Sequence, residues 1–387
     1  MKILLVSRSL PFHQFGGMEF VAWDLAVALA GAGHSVAVMT TSSKALEASS
    51  FIDGVQIRSL PCPSGRYSFK WWIQSRRTYA EEFAPDTDAV LSVSAGALSL
   101  SRRAGRAVFV AQIHGVAWGE FISKVRQMRL KPMVFSIRNL LWMIRDLRYL
   151  NFDRLVAVGP AVAKELRSSP TKLLLGRVPS LTIENGVSTA QFRFDISARD
   201  ELRAQLGLGP NVKVLLSASR LHPQKGVVPA IEAFSIALRR DPNMHFVVAG
   251  GGPDEQRIRQ TSERLGLAGK LTMVGEISRK ALCRYYSAAD LFVFTTLRME
   301  GLPTNVLEAL ACGLQPIVSR AVSLPELPTI AVDPHSPQNI AEAIICTPQT
   351  PPHEKKSLLP EKFTIHSAVS AYQRLFAELL GSKADGL

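Results

Sequence analysis

Short β-branched runs bounded by turn residues alternate with longer stretches of helical spacing, and this alternation narrows the fold of the chain more than any other feature. Parallel strands cannot be joined by a tight turn, so the chain must cross a face of the sheet between them, usually as a helix. Strands are expected near Ile3 to Val6, Ser35 to Thr40, Ala89 to Val93, Ala107 to Gln112, Arg154 to Val158 and Leu181 to Ile183. The series then restarts near Val212 to Ser217, His245 to Ala249, Leu271 to Val274, Leu291 to Phe294, Pro316 to Val318 and Ile330 to Val332, with helices over Val227 to Arg239 and Glu255 to Leu265. The expected fold class is α/β, built as two Rossmann-like doubly wound parallel-sheet domains.

Asn185 to Gly209 contains an Asn-Gly turn and polar, irregular sequence, which reads as the link between the two. The domains are accordingly expected over residues 1–190 and 200–364. A final helix at about 365–380, after the Pro-rich stretch Thr347 to Pro360, is able to pack back on the first domain. Facing each other, the domains would enclose a cleft at the carboxyl ends of their strands, where folds of this type bind ligands.

The 387 residues suffice for two to three domains at roughly 150 each. A hydrophobic content of 47% with 20% charged residues excludes a disordered or fibrous chain. Four cysteines, at positions 62, 283, 312 and 346 with no Cys-x-x-Cys, argue against a disulfide framework and a zinc site. The apolar run Ile3 to Val6 is too short for a signal-peptide core, and no stretch is long enough to span a bilayer. A cytoplasmic protein is expected. Of the net charge of +13, +10 falls in residues 1–190, where 23 Lys and Arg face 13 Asp and Glu. The partner of that half is expected to be anionic: a membrane surface, a phosphate-bearing substrate or nucleic acid.

Chemistry-bearing residues gather where strands are expected to end. Glu300 and Gly301 lie in the loop after a strand. Leu302, Pro303, Thr304, Asn305 and Val306 then open a helix that places Glu308 one turn in and stops at Gly313. Free N–H groups near Thr304, Asn305 and Val306 would make an anion site; the alternative is a surface-capped core helix with two solvated glutamates. In Ser219-Arg220-Leu221-His222-Pro223-Gln224-Lys225-Gly226, Arg220 offers a rigid fork and Lys225 a point charge, a pairing suited to a diphosphate or else two solvated loop cations. Gly16 and Gly17 permit close approach of backbone to a phosphate or sugar, or serve a turn with positive φ, and Gly250-Gly251-Gly252 allows the same two readings. His114 ends a strand and points toward the expected cleft unless it is a hydrogen-bonded structural group. Asp86-Thr87-Asp88 precedes a strand, at the end away from the cleft, and no metal role is expected for it. Residues 121–150 hold seven Lys or Arg and one Asp among aromatic and aliphatic residues, either as a helix on an anionic membrane or as a core helix with snorkelling cations.

Taken together, Gly-Gly-x-Glu at 16–19, His114-Gly115, Asn185-Gly186-Val187, Ser219-Arg220-Leu221 with Lys225-Gly226, Gly250-Gly251-Gly252-Pro253, Tyr286-Ser287-Ala288-Ala289-Asp290 and the glutamates 300 and 308 resemble glycosyltransferase family 4, of GT-B fold. The resemblance covers nearly the whole chain and is strongest from 212 to 320. It implies sugar transfer from a nucleotide-sugar to a glycan or lipid-linked acceptor, with retention at the anomeric carbon and no metal or other cofactor. It further implies that Arg220 and Lys225 hold the diphosphate, Glu300 the donor sugar and Glu308 the ribose. Gly301, Leu302, Thr304, Asn305 and Val306 would complete the donor site, Gly16 and Gly17 would approach it from the other domain, and His114 would contact the transferred sugar. The chain departs from the pattern at Val322-Ser323-Leu324-Pro325-Glu326, which lacks two glycines, and at Ser219, where glycine is usual. A lipid-linked intermediate of surface polysaccharide or lipopolysaccharide assembly, reached from the inner face of the cell membrane, would suit the basic half. The competing readings are a nucleotide-sugar epimerase of the same fold and a basic nucleic-acid-binding protein; no nucleic-acid-binding module is recognisable.

Overall fold

The computed structural model describes residues 1–13, 16–100, 105–115, 145–298, 300–322 and 325–384. They form two compact units, one made of Met1–Gly186 and the segment from Lys362 onward, the other of Val187–Glu361.

In the first unit the described strands are β1 (Lys2–Val6), β2 (Ser35–Thr41), β3 (Ser49–Ile52), β4 (Val55–Leu60), β5 (Ala89–Val93), β6 (Val108–Ile113), β7 (Arg154–Ala157) and β8 (Ser180–Thr182). They lie in the order β3-β4-β2-β1-β5-β6-β7-β8, parallel throughout except for β3 against β4. Side chains alternate between two core layers: Ile3 and Leu5 enter one, Leu4 and Val6 the other, and β6 divides likewise into Val108 and Val110 against Phe109, Ala111 and Ile113. Because both faces are covered, the strands read as unbroken apolar runs rather than as alternating ones. The helices Gly17–Gly31 and Ile365–Ala384 close the first layer through Leu25, Leu29, Tyr372 and Phe376. The helix Phe69–Thr78 closes part of the second through Trp71.

The hairpin β3-β4 was not expected. Ile52 pairs with Val55 across Asp53 and Gly54, both left-handed at φ 49° and 80°. This is the two-residue turn whose twist suits a hairpin, and the Asp-Gly pair between β-prone residues is its sequence signal.

The second unit carries β9 (Lys213–Ala218), β10 (Met244–Ala249), β11 (Leu271–Gly275), β12 (Leu291–Phe294), β13 (Gln315–Ser319) and β14 (Ile330–Val332), all parallel, in the order β11-β10-β9-β12-β13-β14. Leu215, Phe246, Val248, Leu291, Val293 and Ile317 pack beneath the helices Val227–Arg240 and Pro337–Cys346. Residues 196–205, expected to be irregular, form a helix instead. Asp195 caps it by accepting from the Ala198 N–H at 3.0 Å, and Arg199 and Arg203 on its inner face reach the buried Asp290 at 2.8 and 2.6 Å. That pairing spans some ninety positions of sequence and overrides the local polarity.

In each sheet the chain reverses direction of winding once, between β1 and β5 and between β9 and β12. At such a point neighbouring crossovers leave on opposite faces, which opens a crevice at the carboxyl ends of the two strands.

Candidate functional site

The crevice of the second unit is framed by the loops that follow β9 and β12, and main-chain contacts fix them together. Gly226, left-handed at φ 70°, lies so close to Thr295 that a Cβ would collide with its carbonyl oxygen. Only glycine satisfies both demands. The Thr295 hydroxyl donates to the Gly226 carbonyl at 2.8 Å, and the Leu297 N–H to the Gln224 carbonyl at 2.8 Å. Lys225 and Glu300 are thereby brought together, with Nζ 2.7 Å from Oε1 and both side chains mostly buried, 22% and 18% exposed. The ammonium also lies 5.2 Å from the centroid of the Phe294 ring. Beneath the pair, the buried Thr296 hydroxyl is 3.0 Å from the Gln224 carbonyl and 3.0 Å from Glu300 Oε1. Arg220, in the same loop as Lys225, is exposed and has no ion-pair partner among the described residues.

The helix Thr304–Ala311 begins beside this pair. Gly301, Thr304 and Asn305 are half-buried, while Leu302 and Val306 are buried. Of the three N–H groups expected to be free, that of Val306 is not: it donates to Asn305 Oδ1 at 3.0 Å and to the Pro303 carbonyl at 3.2 Å. Asn305 spends its amide on the Ala218 carbonyl at 2.9 Å, tying the helix start to the end of β9.

Glu308 is buried rather than solvated. Its Oε1 accepts from Arg279 Nη2 at 2.9 Å and Nε at 3.2 Å, and the Tyr286 hydroxyl is 3.1 Å from Oε2. The Arg279 guanidinium also stacks over Phe192, 4.9 Å from the ring centroid. Burial, then the Glu308 charge, raises the Tyr286 phenol well above its ordinary value, so it stays protonated as a donor. Sequence reasoning missed Arg279 and Thr296. Arg279 did leave a signal, because a cation in the first turn of the helix Arg279–Ala288 opposes the helix dipole and calls for a carboxylate partner.

A second charge cluster holds the far end of that helix. Arg199 donates to the carbonyls of Ser287, Ala288 and Ala289 at 3.1, 3.1 and 3.2 Å, and Lys355 to that of Ala289 at 2.6 Å. Burial works to raise the Asp290 carboxyl, but Arg203, Arg199 and Lys355 outweigh it and hold it below the usual range. Burial also lowers Lys355 to about 8 despite Asp290.

In the first unit, Gly16 and Gly17 start the helix after β1. Gly16 is extended at φ −162°, so it does not serve a turn with positive φ. Its reason is contact: a Cβ would strike Glu19 Oε2, and the buried Glu19 accepts from the Ser9 hydroxyl at 2.7 Å. Glu19 occupies the third helical position, from which a carboxylate folds back over the start of a helix. His114 follows β6, with Nε2 3.1 Å from Gln112 Oε1; burial lowers its pKa to about 4, which leaves a neutral imidazole.

Gly250 and Gly252 pack the loop after β10 against that after β9, since a Cβ on either would strike the Ser219 or Leu221 carbonyl. Asp86 and Asp88 lie at the amino ends of β1 and β5, paired with Lys2 at 3.1 Å and Arg106 at 3.0 Å. Phe15, residues 121–144 of the basic stretch, Met299, Ser323 and Leu324 lie outside the described residues. Of that stretch, Arg145 pairs with Asp146 at 3.3 Å and Leu147–Asn151 form a 3₁₀ turn.

Two doubly wound units of this kind, the second with cations and carboxylates at its switch point, define an α/β protein of the GT-B class. Residues 198–355 match the family described as Glycosyl transferases group 1, and residues 15–191 match Glycosyltransferase Family 4. The chain belongs to glycosyltransferase family 4. It is 29% identical over 233 residues to a GDP-mannose-dependent alpha-(1-6)-phosphatidylinositol monomannoside mannosyltransferase of Mycolicibacterium smegmatis, covering 59% of this chain and 56% of that protein. It is also 29% identical over 196 residues to the alpha-monoglucosyldiacylglycerol synthase of Streptococcus pneumoniae, covering 48% and 44%. The chain thus spans about half the length of the curated relatives it matches. Among solved structures, the sucrose-phosphate synthase of Thermosynechococcus elongatus superposes with a TM-score of 0.76 at 18% identity, covering 98% of this chain and 99% of the other. Anabaena HepE in complex with UDP superposes at 0.69 and 19% identity, covering 98% and 100%.

Proposed function

We propose that the protein is a retaining glycosyltransferase that moves a sugar from a UDP- or GDP-linked donor to a hydroxyl of a glycan or lipid-linked acceptor. Its place would be surface polysaccharide or lipopolysaccharide assembly at the inner face of a membrane. The observation that carries the reading is the Lys225–Glu300 pair at the switch point of the second sheet, with Arg220 exposed in the same loop and without an ion-pair partner among the described residues. A diphosphate calls for cations and N–H donors, whereas sugar and ribose hydroxyls call for carboxylate acceptors, and the loops supply both kinds.

In this reading Arg220 and Lys225 hold the diphosphate. As the bond from the anomeric carbon to the phosphate oxygen breaks, electrons pass to that oxygen and the two cations stabilise the growing charge. Glu300 accepts from hydroxyls of the donor sugar. Glu308, held by Arg279 and Tyr286, accepts from the ribose. The acceptor oxygen bonds to the anomeric carbon from the face the phosphate leaves, and its proton goes to the departing phosphate. Gly301, Leu302, Thr304, Asn305 and Val306 shape the donor pocket, Gly16 and Gly17 approach the donor, and neutral His114 contacts the transferred sugar. The lipid-linked acceptor is supported by the names of the two curated relatives, a phosphatidylinositol monomannoside mannosyltransferase and a monoglucosyldiacylglycerol synthase.

Calorimetric titration with UDP and GDP, without added metal, tests the donor site. One nucleotide is expected to bind in the micromolar range and to bind more weakly to Lys225→Ala. If neither binds, or the variant matches wild type, the assignment fails. Nuclear magnetic resonance of the product then reads its anomeric configuration, and inversion would overturn the retaining mechanism alone.

A further inference from the structure

Scattered exposed apolar side chains are ordinary, so what matters is where they gather. Nine large hydrophobic side chains are exposed among the described residues, and five of them, Phe69, Ile73, Leu147, Leu150 and Leu173, sit on elements covering one face of the first sheet. Those elements are the helix Phe69–Thr78, the 3₁₀ turn Leu147–Asn151 and the helix Thr171–Leu175, whose inner residues Trp71, Tyr149 and Leu175 enter the same core layer.

The helix Phe69–Thr78 is apolar at both poles. Trp71, Ser75 and Thr78 are buried on its inner side. At about 100° of rotation per residue, Phe69 and Ile73 fall directly opposite. They are 79% and 52% exposed. The same rotation puts Arg76 on one flank of this outer pole and Lys70 and Arg77 on the other, all exposed. No Asp or Glu occurs within the helix, and the nearest carboxylate, Glu81, meets Arg77 at 2.9 Å in a pair exposed to solvent on both sides. The companion elements repeat the pattern: Leu173, 85% exposed, stands next to Lys172, and Leu147 and Leu150 stand on either side of Arg148.

We propose that this face of the first unit, centred on Phe69 and Ile73, rests on an anionic lipid bilayer. The two apolar side chains would enter the boundary between headgroups and acyl chains, while Lys70, Arg76 and Arg77 meet lipid phosphates on both sides. Charge complementarity selects this occupant, because the helix itself carries Lys70, Arg76 and Arg77 and no acidic residue, with Glu81 offsetting only Arg77, and it lies in the half of the chain that holds +10 of the +13 net charge. The inference rests on the membrane-side acceptor of the proposed function and deepens it by naming the surface. No helix among the described residues is long and apolar enough to cross a membrane.

Co-sedimentation of the full chain with vesicles of phosphatidylcholine, with and without phosphatidylglycerol, tests it at low salt. Wild type is expected on the anionic vesicles only, and the double variant Phe69→Ser/Ile73→Ser is expected to lose at least about tenfold in partition. Lys70→Gln/Arg76→Gln/Arg77→Gln should lose about fivefold per cation removed, and added salt should weaken wild type in the same direction. Unchanged melting by circular dichroism and unchanged nucleotide titration in the variants keep these losses separate from misfolding and from failure of the donor assignment. Wild type that ignores anionic vesicles would overturn the proposal and leave the face to a protein partner. A double variant that sediments like wild type would overturn it too, by moving the attraction elsewhere on the chain.

Discussion

Lys225 Nζ and Glu300 Oε1 lie 2.7 Å apart across the crevice between β9 and β12, so the ammonium assigned to the diphosphate is neutralised by the carboxylate assigned to the sugar. Under the proposed function, donor binding would share or exchange this contact, a phosphate replacing one anion beside Lys225 with another.

Lys225→Ala and Glu300→Gln should consequently act in opposite directions on nucleotide affinity. Lys225→Ala is expected to weaken nucleotide binding and to slow transfer about 10²- to 10³-fold. Glu300→Gln frees Lys225, so nucleotide binding should tighten while transfer falls. Calorimetry with the nucleotide and initial-rate kinetics with the donor sugar check this; weaker nucleotide binding in Glu300→Gln would refute the exchange.

Thr296 joins the two loops through one buried hydroxyl that contacts both Gln224 and Glu300. Thr296→Val keeps the shape and removes a hydroxyl whose single proton serves the Gln224 carbonyl or Glu300 Oε1 and whose oxygen accepts from the Arg298 N–H at 3.3 Å, at a cost of about 0.5–1.5 kcal/mol in stability, since Leu297 and Lys225 still donate to the two acceptors. Thr296→Ser restores the hydroxyl. If Thr296 positions Glu300, the serine variant should recover kcat as well as melting temperature, and equal kcat in the valine and serine variants would argue against that role.

His114 ties acid stability to the candidate sugar contact. Its pKa is about 4 in the folded protein against 6.5 when unfolded. Between these values the unfolded chain binds the extra proton, so this group's contribution to stability falls as pH drops from 6.5 toward 4. Urea titrations of wild type and His114→Gln across that interval should show a shallower pH dependence in the variant. Parallel curves would mean that His114 is not held neutral.

A methyl group at Gly16 should force the Glu19 carboxylate to shift. Substitution of Gly16 by alanine displaces the Glu19 carboxylate from the helix start and from the Ser9 hydroxyl, although the extended backbone itself would accept alanine. A loss of about 1–3 kcal/mol is expected from the buried acceptor left unsatisfied. The double variant Gly16→Ala/Glu19→Ala should be no less stable than Glu19→Ala alone, as thermal unfolding would read; a further loss would place the clash elsewhere.

The α/β class, the restart of the strand series near residue 212 and the helix Thr304–Ala311 were legible in the chain itself. Each depends on contacts within one strand or one helix, whose periods of about 2 and 3.6 residues leave a repeating mark on the sequence. The hairpin β3-β4 was not expected, although Asp53-Gly54 carries its local signal. Tertiary structure alone decided that Glu308 faces Arg279 rather than solvent, that residues 196–205 form a helix whose Arg199 and Arg203 are buried against Asp290, and that Glu300 meets Lys225 from 75 positions away. Such pairings leave no periodic trace, because which carboxylate a cation meets is set by the order of strands in the sheet, and strand order is fixed only when the crossovers pack together.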